Sequence, residues 1–246
     1  MGEVLAERLR GEGFAWVRSQ LRLERRGAGR REQLRLVRLR SGRTVEQVGV
    51  DVVLNVRDGR LARWRRDHPD QTLRGDVEQD WLCGHPLGAL TEQRSDGRVD
   101  LTDPTARRAR IEELAAVVGT VALPWFASTR RAGETADRVP DVTLDRDLVN
   151  LTEWLVSRGE RAQAARLVRR WLEAAAHRRS PYDEGRALAA EGRRPTAADG
   201  VGVLAGWTSA ALDLPVPPPA DGPAAPPPEG GGGLRGRGEP RARAPV

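Results

Sequence analysis

One cysteine and one histidine lie two residues apart in the segment CGH, at Cys83 and His85. Such a pair could supply a thiol nucleophile with its base, or two metal ligands if His68 and Asp70 joined it. Zinc sites usually carry a pair of ligands at each end, and only one pair occurs here. We therefore predict no catalytic residue and no metal site, and keep a hydrolase that uses Cys83 and His85 as the second alternative function.

A second stretch that could do chemistry is RDGRLARWRR, residues 57–66, in which five arginines surround one tryptophan. Arginine interleaved with an aromatic residue can hold phosphates and stack a base. The competing interpretation is a solvated loop whose tryptophan caps the edge of a sheet. The candidate binding residues of this stretch are Arg57, Arg60, Arg63, Trp64, Arg65 and Arg66.

Two further candidate binding residues, Asp51 and Asn55, interrupt an otherwise apolar strand. Beside arginines on neighbouring strands they could line a pocket. They could equally form cross-strand pairs with those arginines, which is the simpler interpretation.

No cofactor is predicted. The chain contains no lysine, so the phosphate-binding pattern G-x-x-x-x-G-K-[ST] cannot occur. No G-x-G-x-x-G pattern lies at a junction between a strand and a helix.

The charge is unevenly distributed along the 246 residues, which carry a net charge of +6. Residues 1–66 hold 17 arginines against 8 acidic residues, whereas residues 67–213 hold 20 against 24. The basic third could bind a polyanion or the acidic middle of the chain. The single cysteine and the absence of an apolar signal segment favour a cytoplasmic protein, and no membrane partner is expected.

We expect a sheet to position these candidate residues. In Thr44–Val56, the even-numbered residues from Val48 to Val56 are all apolar, which predicts a strand with that face in a core. Two earlier strands, Ala15–Arg25 and Glu32–Arg40, are separated by short glycine turns, so we predict an antiparallel meander. A shift of apolar phase after Leu36 predicts a β-bulge, and Val99–Leu101 is a possible fourth strand.

Helical periodicity accounts for much of the remainder, and residues 127–142 are expected to form a loop. The predicted helices are Glu3–Arg10, Pro104–Leu123 ending before Pro124, the hairpin of Asp145–Ser157 and Arg161–His177, and Thr196–Leu212. The expected fold class is α+β, with a meander of three to four strands packed on helices. The predicted regions are the meander domain at 1–126, a small helical region at 143–213 and a disordered Pro/Gly/Arg-rich tail at 214–246.

The amino-terminal part, residues 1–130, resembles the bacterial family labelled domain of unknown function 4304. The resemblance rests on a helix ending in Gly13-Phe14, two arginine-rich strands and a strand ending in VDVVLNV. Trp81 and Leu123-Pro124-Trp125 match a tryptophan-containing stretch and a helix closing on Leu-Pro in that family. The resemblance implies a helix followed by a meander, and no established activity.

These observations predict a non-enzymatic cytoplasmic binding or interaction module with a protein partner. The first alternative is a nucleic-acid-binding protein that uses the basic amino-terminal third and Arg57–Arg66. The sequence predicts no oligomeric state.

Overall fold

The computed structural model describes residues 1–41, 47–73, 79–91, 98–196 and 198–215, without the side chains of 39–41 and 47–48. One compact unit spans Met1–Val216. The predicted disordered tail lies outside the described residues from 216 onward.

The described strands form one antiparallel sheet in which each of the first five strands pairs with its neighbour along the chain. The strands are β1 Ala15–Val17, β2 Arg22–Gly27, β3 Arg30–Ser41, β4 Gln47–Asp58, β5 Trp81–Pro86 and β6 Val99–Asp100. The last of them, β6, pairs with β4 rather than β5, at Gly49 and Val50. An antiparallel sheet combined with helices confirms the predicted α+β class.

The helices fill the rest of the described chain. They are α1 Gly2–Arg8, α2 Gly59–Asp67, α3 Arg107–Val117, α4 Leu123–Ser128, α5 Ala132–Arg138, α6 Asp141–Ser157, α7 Arg161–Glu173, α8 Arg179–Ala190 and α9 Val201–Ala211. The hairpin of α6 and α7 turns at Gly159, whose φ of 80° is a conformation that glycine adopts without strain. A helix, α5, occupies part of the segment predicted as a loop.

The two faces of β4 differ as the alternation predicts. Val50, Val52, Leu54 and Val56 are all buried on the core face. They pack in one apolar core with α1 and with α4, whose Trp125 lies 6.4 Å from the His85 ring of β5. The side chain of Val48 is outside the described residues.

Two predicted details of the meander are wrong. The strand predicted at Ala15–Arg25 breaks at a 3₁₀ turn, Arg18–Gln20, so that β1 folds back onto β2. The register of β3 on β4 is unbroken, so the predicted bulge after Leu36 does not form and Val37 is exposed instead. A bulge occurs between Val56 and Arg57 of β4, opposite β5.

The helix predicted to end before Pro124 continues through it. A π-helical turn, Val118–Ala122, joins α3 to α4 and places Pro124 at the first turn of α4, where its missing N–H costs little. The resulting 22-residue helix is long and apolar enough, by length and composition alone, to cross a membrane, as the core helix of a soluble protein can also be. An 18-residue window within it has a mean hydropathy of 1.3. Only 33% of this apolar window is buried inside the fold.

The crossing of α8 and α9 depends on glycine. A Cβ at Gly185 would overlap the carbonyl oxygen of Val203, and a Cβ at Gly206 would overlap that of Tyr182. The glycines that weaken the helix propensity of α9 therefore permit close packing of the two backbones.

The assignment of faces in β4 can be tested with two adjacent substitutions. Val52→Asp should unfold the protein, because an unpaired charge in the core costs several kcal/mol. Asp51→Val, on the opposite face, should cost less than about 1 kcal/mol. Urea denaturation of both variants provides the measurement, and equal losses would contradict the assignment.

Candidate functional site: the arginine face of the sheet

The face of the sheet opposite the core carries a polar row with an arginine row on each side. The register of β2 to β5 aligns Glu24, Gln33, Asn55 and Gly84 in the middle row. On one side lie Arg22, Arg35, Val53 and Pro86, and on the other lie Arg26, Arg31, Arg57 and Trp81. We call this surface the arginine face.

Two carboxylates bridge the arginines of this face in pairs. Glu24 pairs with Arg22 at 2.7 Å and with Arg26, and Asp80 pairs with Arg57 at 2.8 Å and with Arg31. Each bridge reduces repulsion between neighbouring guanidinium groups but leaves one positive charge in excess.

The pKa of the Glu24 carboxyl shows how strongly the neighbouring arginines favour its ionised form. Burial raises the pKa of its carboxyl, but hydrogen bonds from Gln33 and Arg26 and the nearby charge of Arg22 outweigh burial and lower it. Glu24 therefore stays ionised although it is only 4% exposed.

Arg35 is an exposed arginine in one of the two flanking rows. It has no ion pair within the described part of the chain. Together with Arg26 and Arg31, whose side chains are 70% and 39% exposed, it is available to a ligand.

Asn55, a predicted binding residue, lies beneath Trp81. It is 2% exposed, and its Oδ1 has no hydrogen-bond partner among the described residues. Trp81 packs over Gly84 beside it, and the Arg57 guanidinium lies 5.5 Å from the Trp81 ring centroid. The one aromatic ring of the rows is therefore half-buried, with Gly84 against it and Arg57 near it, and it lies over the buried Asn55.

Asp51 lies farther along the same face, opposite the exposed Val37. The two candidates of β4 thus share a face with Arg57, but at different depths.

The remaining candidates belong to α2, a helix where the solvated-loop interpretation expected none. Asp58 caps its start by accepting a hydrogen bond from the Arg60 N–H at 2.8 Å. Arg60, Arg63 and Arg66 are exposed on this helix, whereas Trp64 is half-buried and stacks on His68 at 4.9 Å. The stretch 57–66 therefore does not converge on one ligand.

Arg65 is a structural residue rather than a binding residue. It pairs at 2.6 Å with Glu153 of α6, and both side chains are fully buried. It also donates hydrogen bonds to the carbonyl oxygens of Gln79 and Trp81 and to Asn150. All of these partners lie far from Arg65 in sequence, so its burial could not be inferred from the arginine stretch.

Cys83 and His85 are both buried in β5. Burial and the nearby Asp147 carboxylate raise the pKa of the Cys83 thiol well above its usual range. Burial and the charge of Arg146 lower the pKa of His85. A protonated thiol and a neutral imidazole inside the core give no support to a hydrolase, and no cluster of three metal-ligating side chains occurs among the described residues.

Asp147 covers the open edge of β5. Its carboxylate accepts hydrogen bonds from the Gly84 N–H at 3.0 Å and the Trp81 Nε1–H at 3.3 Å. Helix α6 is kinked at this residue, where φ is −118° and ψ is 17°. The kink brings the carboxylate to a strand edge that would otherwise present unpaired N–H groups.

Buried Asp147 and capping Asp58 should affect stability with opposite dependence on pH. Burial raises the pKa of Asp147 despite its hydrogen bonds. Burial also opposes ionisation of Asp58, but hydrogen bonds from Trp154, Arg158 and the Arg60 N–H lower its pKa. The first carboxylate is therefore harder to ionise in the folded protein than in the unfolded chain, and the second is easier.

We compare the free energy of unfolding of the wild type with that of Asp147→Asn. We predict that the stability advantage of the wild type falls as pH rises from the ordinary aspartate pKa through the raised pKa of Asp147. The stability advantage of the wild type over Asp58→Asn should instead rise as pH increases from the lowered pKa of Asp58 to the ordinary aspartate pKa. Urea denaturation between pH 3 and 7 measures both differences. Slopes of the same sign would contradict the assignment.

Comparisons with known proteins add no relative. No family model matches the chain, no curated protein matches it and no solved structure matches it. The resemblance to the family labelled domain of unknown function 4304 stays a prediction.

Proposed function

We propose that the chain is a non-enzymatic binding module whose arginine face holds the phosphate chain of a single-stranded nucleic acid. The observation that carries this proposal is the pair of arginine rows on a sheet face where two carboxylates bridge four guanidinium groups. Arginine forms planar, bidentate contacts with phosphate, and an excess of positive charge attracts the polyanion.

The shape of the face favours a single strand over a duplex. The grooves of DNA admit a helix or a two-stranded ribbon, whereas the rows here cross the adjacent strands β2, β3 and β4. Neighbouring strands lie about 4.8 Å apart, so the three arginines of one row and the two of the other are closely spaced. An extended phosphate chain can follow such a line.

The half-buried position of Trp81 favours binding without base recognition. Base stacking needs an accessible aromatic plane, and Trp81 packs on Gly84 with Arg57 near its ring. Affinity should therefore depend on phosphate contacts and salt rather than on sequence.

The test removes three charges from the arginine face. The variant Arg22→Gln, Arg31→Gln, Arg35→Gln should bind a labelled oligonucleotide at least tenfold more weakly at low salt. The slope of log affinity against log salt should decrease in magnitude by about 2, because each phosphate contact contributes about 0.7 for a single strand. Fluorescence anisotropy with an oligonucleotide lacking terminal phosphates measures both quantities.

A matched control removes the same charge elsewhere. Arg108, Arg169 and Arg193 are exposed and lie outside the sheet. Their replacement by glutamine should leave most of the affinity intact. An equal loss in the control, or no binding by the wild type, would contradict the proposal.

A second candidate function, self-association, is favoured by an apolar groove beside the helix of residues 107–128. Two cavities of about 430 and 970 Å³ meet at Thr91 and Val117. Their apolar lining includes Leu87, Leu90, Leu114, Val121 and Pro124. Around them lie Arg98, Arg110 and Arg138 with Asp100, Glu113 and Asp141.

The balanced charges around the groove suit contact with a second copy of this chain. In a twofold contact the same surface meets itself, so equal numbers of opposite charges can pair across the interface. Leu90 and Val121 are half-buried and Pro124 is exposed in this groove, and an apolar patch that meets solvent is typical of an interaction site.

Substitution of Val121, a half-buried residue that lines the groove, tests self-association. Val121→Arg should increase the dissociation constant of a dimer at least tenfold, because it places a charge in the apolar contact. Gly119→Arg, also on the π-helical turn but outside the groove lining, is the control. Sedimentation equilibrium provides the measurement, and a wild type that stays monomeric at 100 μM would exclude this candidate.

A further inference from the structure

A cluster of four arginines surrounds a small cavity at the β2–β3 hairpin. The cavity measures about 260 Å³ and is lined by Arg25, Arg26, Gly27, Arg30, Glu32 and Arg130. Strand β1 pairs only with residues 22–24 of β2, so β2 is the edge of the sheet at this point. We call this feature the Glu32 cavity.

Three guanidinium groups converge on one buried carboxylate in the Glu32 cavity. The Nε–H groups of Arg25, Arg30 and Arg130 donate to Glu32 at 2.7, 3.1 and 3.1 Å. Glu32 is only 3% exposed. Glu32 and Glu12, whose carboxylate lies 3.7 Å from Arg25, offset two of the three positive charges, so the cluster keeps an excess of one before Arg26 and its partner Glu24 are considered.

Two of these arginines are fixed by other contacts. Arg30 donates to the carbonyl oxygen and the Oγ1 of Thr129, both at 2.6 Å, and to the carbonyl oxygen of Phe126. Arg25 donates to the carbonyl oxygen of Glu12 at 2.6 Å and lies 4.5 Å from the ring centroid of Phe14. Their positive charges are therefore held in place before any ligand arrives.

The other two arginines can reach a ligand. The side chain of Arg130 is 44% exposed and that of Arg26 is 70% exposed. Arg130 uses Nε and one terminal nitrogen for Glu32, and Arg26 uses Nε for Glu24. Terminal N–H groups of both side chains are left to bind an anion at the mouth of the cavity.

We propose that the Glu32 cavity binds a phosphate monoester group. The excess positive charge of the cluster attracts an anion, and the oxygens of a phosphate dianion suit the planar donors of arginine. The fixed positions of Arg25 and Arg30 lower the ordering cost of binding. The monoester would enter between Arg26 and Arg130, because these two side chains are exposed at the cavity.

This site does not rest on the proposed nucleic-acid function. Arg26 belongs to both the arginine face and the Glu32 cavity, so the two surfaces adjoin. The oligonucleotide in the earlier test carries no terminal phosphate, and its variant leaves every residue of the cavity unchanged. The two proposals can therefore fail separately.

The test titrates the full chain with inorganic phosphate at constant ionic strength, with chloride as the reference anion. We expect saturable chemical-shift changes at the Nε–H groups of Arg25 and Arg130. Arg130→Gln should weaken binding at least tenfold. Arg131→Gln, which changes the neighbouring, exposed partner of Glu134, should bind phosphate as the wild type does.

Equal weakening in the two variants, or no saturable response to phosphate, would overturn the proposal. A thermal melt of each variant in chloride confirms that it is folded. If Arg130→Gln fails to fold, Arg26→Gln replaces it, with the same tenfold loss expected and an unchanged affinity counting against the site.

Two further probes distinguish the source of the phosphate group. Phosphoserine and adenosine monophosphate carry the same group on different bodies. Binding of both with the affinity of inorganic phosphate supports recognition of the group alone, and tighter binding of one identifies the source. Rejection of both while inorganic phosphate binds would contradict a monoester site.

Discussion

The buried ion pair between Arg65 and Glu153 holds the helical part of the fold to the sheet. The two residues are 88 positions apart, and both are fully buried. Glu153 also accepts a hydrogen bond from Thr72 at 2.9 Å, so α2, α6 and the segment before β5 meet at one point. Loss of one partner from a buried pair costs about 3–5 kcal/mol, a large fraction of the 5–15 kcal/mol that stabilises a typical domain.

As the example of Arg65 shows, the arginines of the chain fall into two groups, those bonded inside the fold and those exposed on its surface. The guanidinium groups of Arg65 and Arg30 donate hydrogen bonds to carboxylates and carbonyl oxygens inside the fold. Arg31 and Arg35 lie on the face of the sheet opposite the core, where Arg35 is exposed and Arg31 is partly exposed, so that their charges can meet a ligand. The partner of each guanidinium group decides its role. Counts of charged residues in this arginine-rich sequence therefore do not show which arginines are structural and which can bind a ligand.

Local patterns predicted the parts of the fold that depend on local physics. Alternation assigned the core face of β4, and helical spacing assigned the hairpin of α6 and α7. The burial of Arg65 was not predictable, because its partner lies in a distant helix. Asp58 followed by glycine carried a usable signal for α2, since aspartate is a strong helix cap. The passage of a helix through Pro124 needed a π-helical turn that no periodicity shows.

The candidate site likewise has a part that could be predicted from the sequence and a part that could not. The sequence predicted that Asp51 and Asn55 share a strand with arginine-rich neighbours, whereas the place of Arg57 on that strand and the alignment of the rows depend on register. Nuclear magnetic resonance of the arginine Nε–H groups during titration with an oligonucleotide tests the central claim most directly. We expect the largest shifts at Arg31 and Arg35 of the arginine face. Shifts confined to Arg60, Arg63 and Arg66 of α2, or no shifts at all, would contradict it.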